Sequence, residues 1–297
     1  MNPAFGFALA LAAGLIWSVG NIIHKILASR LVRSTPLMVA VFSLVSVLVG
    51  GVLLIWFPLV SSAAAWVWAV AGGVCYVLAV WAYLSAMRTE EASRIVPLFS
   101  IGSVLIVILS AILLGEVFSV ITYIGIGLVL VGAVLISITT TARSLFSSQL
   151  LRYMFLSGLF FAGHALIVKY LLGFYSYGTV FASLAMVQGL MGLGIVIIAR
   201  RQIRQTLRQV TVKAIGLNIV TDIVGFGAEL LYTFALTVWY LALVETIASL
   251  QYLFIFLWGL VLSRWFPQIL RESLTRAVVV RKAVAVTIII IGIYLIS

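Results

Sequence analysis

A chain of 297 residues that is 65% hydrophobic and only 8% charged is far too apolar to be a water-soluble globule. Its formal net charge of +11 calls for no nucleic-acid partner, because basic loops are drawn to anionic lipid headgroups. A single cysteine, Cys75, excludes a disulfide framework and a thiolate metal site.

Apolar segments of roughly 20 residues recur along the chain, each long enough to cross the ~30 Å hydrocarbon layer as a helix. They predict an all-α integral membrane protein with ten spans: 5–29, 36–57, 63–87, 93–114, 118–139, 151–172, 178–199, 213–238, 240–262 and 279–297. The first span lacks a basic flank and a small-residue cleavage site, so it is expected to be retained as a span rather than removed as a signal peptide. The stretch 213–262 is almost continuously apolar, which leaves the break at Trp239–Tyr240 the least defined. The longest connection, 263–278, is too short for a soluble domain.

In span 1, GLIWSVGNIIHKILA places Trp17, Asn21, His24 and Lys25 at helical spacing, a polar stripe below an aromatic ring. Span 3 carries Tyr76 and Tyr83 on one face with Trp81 beside them, a wall suited to an amphipathic organic solute or to helix packing. Span 4 holds Ser93, Pro97 and Ser100; a proline kink there would free a carbonyl for a cavity, although such kinks are ordinary in membrane helices. Span 6 repeats the lysine-bearing pattern as GLFFAGHALIVKYLL from Gly158, with His164 and Lys169. In span 7, Gly189 and Gly192 beside Gln188 suggest close helix packing.

Span 8, KAIGLNIVTDIVGFGAELLYTFAL, is the most informative. Asp222 and Glu229 are seven residues apart and share a face, extended by Asn218, Gly225, Tyr232 and Thr233. At 1.5 Å rise per residue the two carboxyl groups lie roughly 10 Å apart, across the middle of the bilayer. A charge there costs at least ~2.5 kcal/mol on insertion scales, so both must face protein or a wet cavity. They are candidates for a proton-carrying or cation-binding site, or else a buried structural pair satisfied by polar neighbours. On span 9, Glu245, Ser249 and Tyr252 share a face.

The halves resemble each other. Lys25 and Lys169 occupy matching places 144 residues apart, and GLVLVGAVLIS (127–137) aligns with TIIIIGIYLIS (287–297), so that Gly132 matches Gly292. Five spans per half, an odd number, would insert the second half inverted, the architecture of secondary transporters. The expected units are 1–142 and 143–297. Inversion puts Lys25 and Lys169 near opposite faces, as gates that pair with a carboxylate in one state or as anchors that snorkel to the interface. His24 and His164 suit either a packed, hydrogen-bonded role or a proton relay.

Loops after the odd-numbered spans hold sixteen basic residues, including Arg30, Arg88, Arg143, five in 200–213, Arg264, Arg281 and Lys282; the opposite loops hold none. Basic loops stay in the cytoplasm, so both termini are expected outside, and RRQIRQTLRQVTVK is expected on the inner headgroups.

Ten spans, the two inverted halves and the phrase IVPLFSIGSVLIVILSAILLGE (95–116) resemble the EamA-like branch of the drug/metabolite transporter superfamily. There a proline-containing fourth helix ends in Leu-Gly-Glu, here Leu114, Gly115 and Glu116, and the next helix carries G-x₄-G, here Gly127 and Gly132. In the second half, Gln251-Tyr252 and Ser263-Arg264 stand where a Pro and a Gly-Glu are often found, so Glu116 has no twin. The resemblance implies ten helices around a central cavity, with peripheral spans 5 and 10. It also implies cytoplasmic termini, against the charge bias.

No catalytic motif, phosphate-cradling loop or metal-ligand spacing is present, so an enzyme is not expected and no cofactor is required. The function expected is a secondary transporter of a small organic solute (metabolite, amino acid or drug) in the cell membrane, by alternating access and with optional proton coupling. The alternative is a flippase for a lipid-linked sugar or phosphate, steered by Lys25, Lys169 and the basic rim. Substrate-contacting candidates are Trp17, Asn21, His24, Lys25, Tyr76, Tyr83, His164, Lys169, Asp222, Glu229 and Tyr252, with Glu229 and Asp222 as proton carriers. Expected partners are the substrate and membrane lipids, in a monomer or homodimer.

Overall fold

A computed structural model describes residues 3–89, 92–137, 148–265 and 276–296. These form helices and connecting turns, without a strand among the described residues. The helices are α1 (Pro3–Ile26), α2 (Thr35–Leu53), α3 (Ala63–Thr89), α4 (Ala92–Leu113), α5 (Val120–Ser137) and α6 (Ser148–Leu172), then α7 (Tyr177–Ile198), α8 (Arg200–Leu207), α9 (Val212–Val238), α10 (Leu241–Ala248), α11 (Gln251–Trp265) and α12 (Arg276–Ile296). A π-helical turn, Leu27–Leu31, continues α1. Among the described residues seven helical stretches are long and apolar enough to cross a membrane; the apolar stretches 98–113 and 120–135 are shorter.

Helix starts follow local chemistry. Ser34, Ser176 and Thr211 precede α2, α7 and α9, and each hydroxyl accepts the backbone N–H three residues on. Pro36 sits in the first turn of α2, where its missing N–H leaves no intrahelical bond unmade. Gly115, at φ +67°, ends α4 with a left-handed residue that costs glycine little.

Three sequence expectations change. The ninth span is not one helix: α10 ends at Ala248 and α11 restarts at Gln251, with Ser249 hydroxyl donating to Thr246 O instead of facing a cavity. The basic stretch 200–213 is partly helical as α8, with Ile203 buried and its arginines mostly exposed. Arg281 and Lys282 lie inside α12 instead of a loop, and the buried Lys282 places its ammonium 3.5 Å from the centroid of the Phe256 ring. The break after Val238 stands as expected, with Trp239 fully extended. Arg143 and Arg271 lie outside the described residues, as do the side chains of Ser93, Pro97, Ser263 and Arg264.

In lipid, apolar burial gives helices little reason to associate, and small residues that let backbones approach take over. Helix α2 lies along α7, α5 along α12, α1 along α9, and α6 along α3 and α4. A Cβ on Gly125 would lie 2.8 Å from Gly292 O, and one on Gly132 would lie 2.9 Å from Ala285 O. Gly127, the other glycine of the G-x₄-G pattern, meets no neighbour, so Gly125 does the work of contact. Gly189 and Gly192 pack onto Val47 and Ser43 of α2.

A close backbone-to-backbone crossing joins α4 to α6. A Cβ on Gly158 would stand 2.9 Å from both Cα and N of Gly102, and backbone cannot rotate away as a side chain does. Gly158→Val is therefore expected to destabilise by about 1–3 kcal/mol through overpacking. Thermal unfolding of the purified protein in detergent reads this as a lowered midpoint; an unchanged midpoint would mean the two helices do not approach so closely.

Candidate functional site

Nine of the residues singled out from the sequence, Trp17, Asn21, His24, Tyr76, Tyr83, His164, Asp222, Glu229 and Tyr252, line one cavity of about 200 Å³. Helices α1, α2, α3, α4, α6, α9, α10 and α11 supply its walls. Helix α9 brings Asp222, Glu229 and Tyr232 to it on one stripe because seven residues make close to two turns and Tyr232 follows Glu229 at i+3 on the same side.

Three carboxyl groups are buried here, each held by two partners. Asp222 Oδ2 accepts from Asn218 Nδ2 (2.8 Å), and its Oδ1 lies 3.2 Å from His24 Nε2. Glu229 Oε2 accepts from Tyr76 hydroxyl (2.9 Å), and its Oε1 lies 3.2 Å from His164 Nε2. Glu245 accepts from Ser103 hydroxyl (2.7 Å) and Tyr232 hydroxyl (2.9 Å). A polar bridge closes another side: Tyr83 hydroxyl donates to Asn21 Oδ1 and Asn21 Nδ2 to Gln251 Oε1, each at 2.8 Å. Full pairing is what a buried polar group requires, since an unmade bond costs about 1–3 kcal/mol.

His164 has a defined tautomer. Its Nδ1 lies 3.0 Å from Gly72 O, and a carbonyl can only accept, so Nδ1 carries a hydrogen. The bond from Nε2 to Glu229 Oε1 then needs one more proton, on either atom. The pair is either imidazolium with carboxylate or imidazole with carboxylic acid. Removing that proton sets two lone pairs face to face and breaks a bond between α6 and α9.

Aromatic rings fill the remaining wall. Phe42 stacks between Tyr76 and Phe226, with centroids 5.5 and 5.4 Å away and planes within 17° and 12°. Trp17 lies against Tyr232 at 5.2 Å. Sequence reasoning did not single out Ser103, Gln251 or Phe42, which bear no sign of function until α2, α4 and α11 are placed beside α9. Glu245 was visible as a charge in an apolar segment, and α10 carries it to the cavity.

Lys25 and Lys169 do not line the cavity. Lys25 donates to Met87 O (2.7 Å) in the last turn of α3. Lys169 donates to Leu236 O and Trp239 O (both 2.7 Å) where α9 ends. Each ammonium thus meets a helix C-terminus, where carbonyls lack intrahelical donors and the helix dipole favours a cation. Across the same break, Glu116 accepts from the backbone N–H of Leu241 (2.8 Å) and Ala242 (2.9 Å), capping the start of α10. Among the described residues no cluster of ligating side chains suited to a metal ion is found.

A crystal structure of another protein aligns with a TM-score of 0.68 at 16% identity, covering 96% of this chain and 99% of that one, a likeness of fold alone. A comparison with curated proteins finds no match. The model of the EamA-like transporter family matches residues 4–138, from the start of α1 through the end of α5. Through that segment, a little under half of its length, the chain is similar to the EamA-like transporter family of the drug/metabolite transporter superfamily, and its apolar helices are those of a multi-pass membrane protein.

Proposed function

We propose that this chain is a secondary transporter that moves a small organic solute through the central cavity by alternating access, coupled to protons through Glu229. The observation that carries the coupling is the His164–Glu229 pair. It holds one exchangeable proton in a cavity wall, and gain or loss of that proton makes or breaks a contact between α6 and α9. An ion that drives transport must favour one arrangement of the helices over another, and this bond has that property. Uptake of solute into proteoliposomes carrying a trapped pH-sensitive dye tests it. Each transported solute is expected to change the internal pH; uptake with no change would defeat the coupling and leave transport standing.

We further read the chain as two inverted five-helix units, 1–142 and 143–297, giving ten spans. Several pairings favour this. The α5–α12 contact is reciprocal: Gly125 meets Gly292 and Gly132 meets Ala285, which are the same two positions in each unit under the 160-residue offset. Gly14 of α1 meets Ala248 O as Gly158 of α6 meets Gly102. Lys25 and Lys169, at matching places, each reach the C-terminal end of a helix, α3 and α9. The flippase alternative, which rested on Lys25, Lys169 and the basic rim steering a headgroup, loses one of those supports, since Lys169 is engaged by main-chain carbonyls. Of the eleven residues chosen from the sequence, we propose substrate contact for the nine that line the cavity.

We place the protein in the cell membrane with both termini outside, because the basic residues of the loops concentrate on one side. A phosphatase fused to Ser297 is expected to be active and a fluorescent protein fused there dark; the reverse pattern would invert the topology.

A further inference from the structure

The charge of the cavity is one-sided. Asp222, Glu229 and Glu245 all line it, and no lysine or arginine is among the described residues that do. Among the described residues its basic groups are His24 and His164, each already facing a carboxylate. An anionic solute would meet three acidic groups with no cation free to offset it. A zwitterion would bring a fourth carboxylate into the same space.

Among the described residues that line the cavity, one buried side-chain polar atom is without a hydrogen bond. Asn218 is 2% exposed and lines the cavity; its Nδ2 is committed to Asp222, while its Oδ1 is buried and accepts no hydrogen bond among the described residues. A buried amide oxygen beside a carboxylate is a pair of acceptors in want of a donor. An ammonium group offers up to three N–H donors and a positive charge from one atom. Phe226, one turn beyond Asp222 on α9, opens the stack of Phe226, Phe42 and Tyr76, whose faces attract cations and accept flat apolar surface. The volume of about 200 Å³ lies below the ~300–1,000 Å³ of pockets for drug-sized ligands, which favours a metabolite-sized molecule.

We propose that this cavity takes a small organic ammonium ion, its nitrogen between Asn218 Oδ1 and the Asp222 carboxylate and its apolar body against Phe226 and Phe42. The proposal rests on the reading of the cavity as the transport site and names its substrate class. Glu229 with His164 remains the separate proton-holding pair, and Asp222 with Asn218 the substrate-holding one.

Three ligands of matched size and different charge test this on the unaltered protein: phenethylamine, phenylalanine and 3-phenylpropionate. Binding to purified protein in detergent is measured by calorimetry, and uptake of the same labelled compounds in proteoliposomes. Phenethylamine is expected to bind about tenfold or more tightly than phenylalanine, with no measurable binding of phenylpropionate. Asn218→Leu is expected to weaken phenethylamine by about tenfold, and Asp222→Asn to weaken it further. Preference for phenylalanine or phenylpropionate, or binding of none of the three, overturns the proposal. So does undiminished phenethylamine binding in a folded Asn218→Leu protein. Phenethylamine that binds but never enters vesicles supports the ammonium site and defeats the transport reading. Entry of the zwitterion or the anion without the amine does the opposite.

Discussion

Glu229→Gln is expected to abolish solute accumulation driven by a pH gradient, down to the background of empty vesicles, while solute-for-solute exchange continues. Glutamine has the shape of the protonated acid. Its amide N–H can donate to His164 Nε2, which accepts in the tautomer that Gly72 O imposes, and its carbonyl oxygen can still accept from Tyr76. The variant therefore keeps every contact of the proton-loaded state and cannot leave it. A transporter locked as loaded can shuttle solute both ways but cannot extract work from the gradient. The other titratable side chains among the described residues lining this cavity are His24, Asp222, Glu245, Tyr76, Tyr83, Tyr232 and Tyr252. Should Glu229→Gln vesicles accumulate solute as the unaltered protein does, coupling must pass through one of those, and Asp222→Asn would be the next variant to assay.

A second large effect is expected at Glu116→Ala, outside the cavity. Its carboxylate accepts two main-chain N–H groups at the start of α10, and Leu241 and Ala242 are fully buried. Alanine leaves both donors without an acceptor in a dry place, at about 1–3 kcal/mol each. The lost negative charge at a helix N-terminus adds about 0.3–1 kcal/mol. Thermal unfolding should show a midpoint lowered by many degrees, and Glu116→Gln, which keeps an acceptor oxygen, a smaller loss. Helix α10 carries Glu245 into the cavity, so solute uptake by Glu116→Ala is also expected to fall. A midpoint for Glu116→Ala equal to that of the unaltered protein would show that α10 is held from elsewhere.

Much of this was legible in the sequence because a membrane simplifies the rules. Apolar run length fixes where helices lie, and the ends of α9 and α7 fall within a residue or so of the expected spans. An ionisable group in such a run must be sheltered, which is why Asp222 and Glu229 announced themselves as site residues with no partner in view. The stripe of Asn218, Asp222, Glu229 and Tyr232 needed only the 3.6-residue period. Glu116 was visible as part of a Leu-Gly-Glu phrase, but its use was not: capping α10 depends on a helix start more than a hundred residues away. The lysines show the same limit. Their matching places suggested a shared role, and both readings offered from sequence, gate and anchor, concerned side chains seeking charge or water. The carbonyl ends of α3 and α9 lie within reach only once the helices are packed.

By itself the sequence determined that the chain is helical and membrane-embedded, where nearly every helix runs, and which α9 carboxylates must be hidden, because these follow from hydrophobicity and helical period along one strand of chain. Tertiary structure alone decided that Glu229 faces His164, that Gly72 fixes the tautomer of that histidine, that Glu245 joins the same cavity and that Asn218 keeps an acceptor open. Those are relations between helices far apart in sequence, set by close glycine contacts and hydrogen bonds whose partners no local pattern can name.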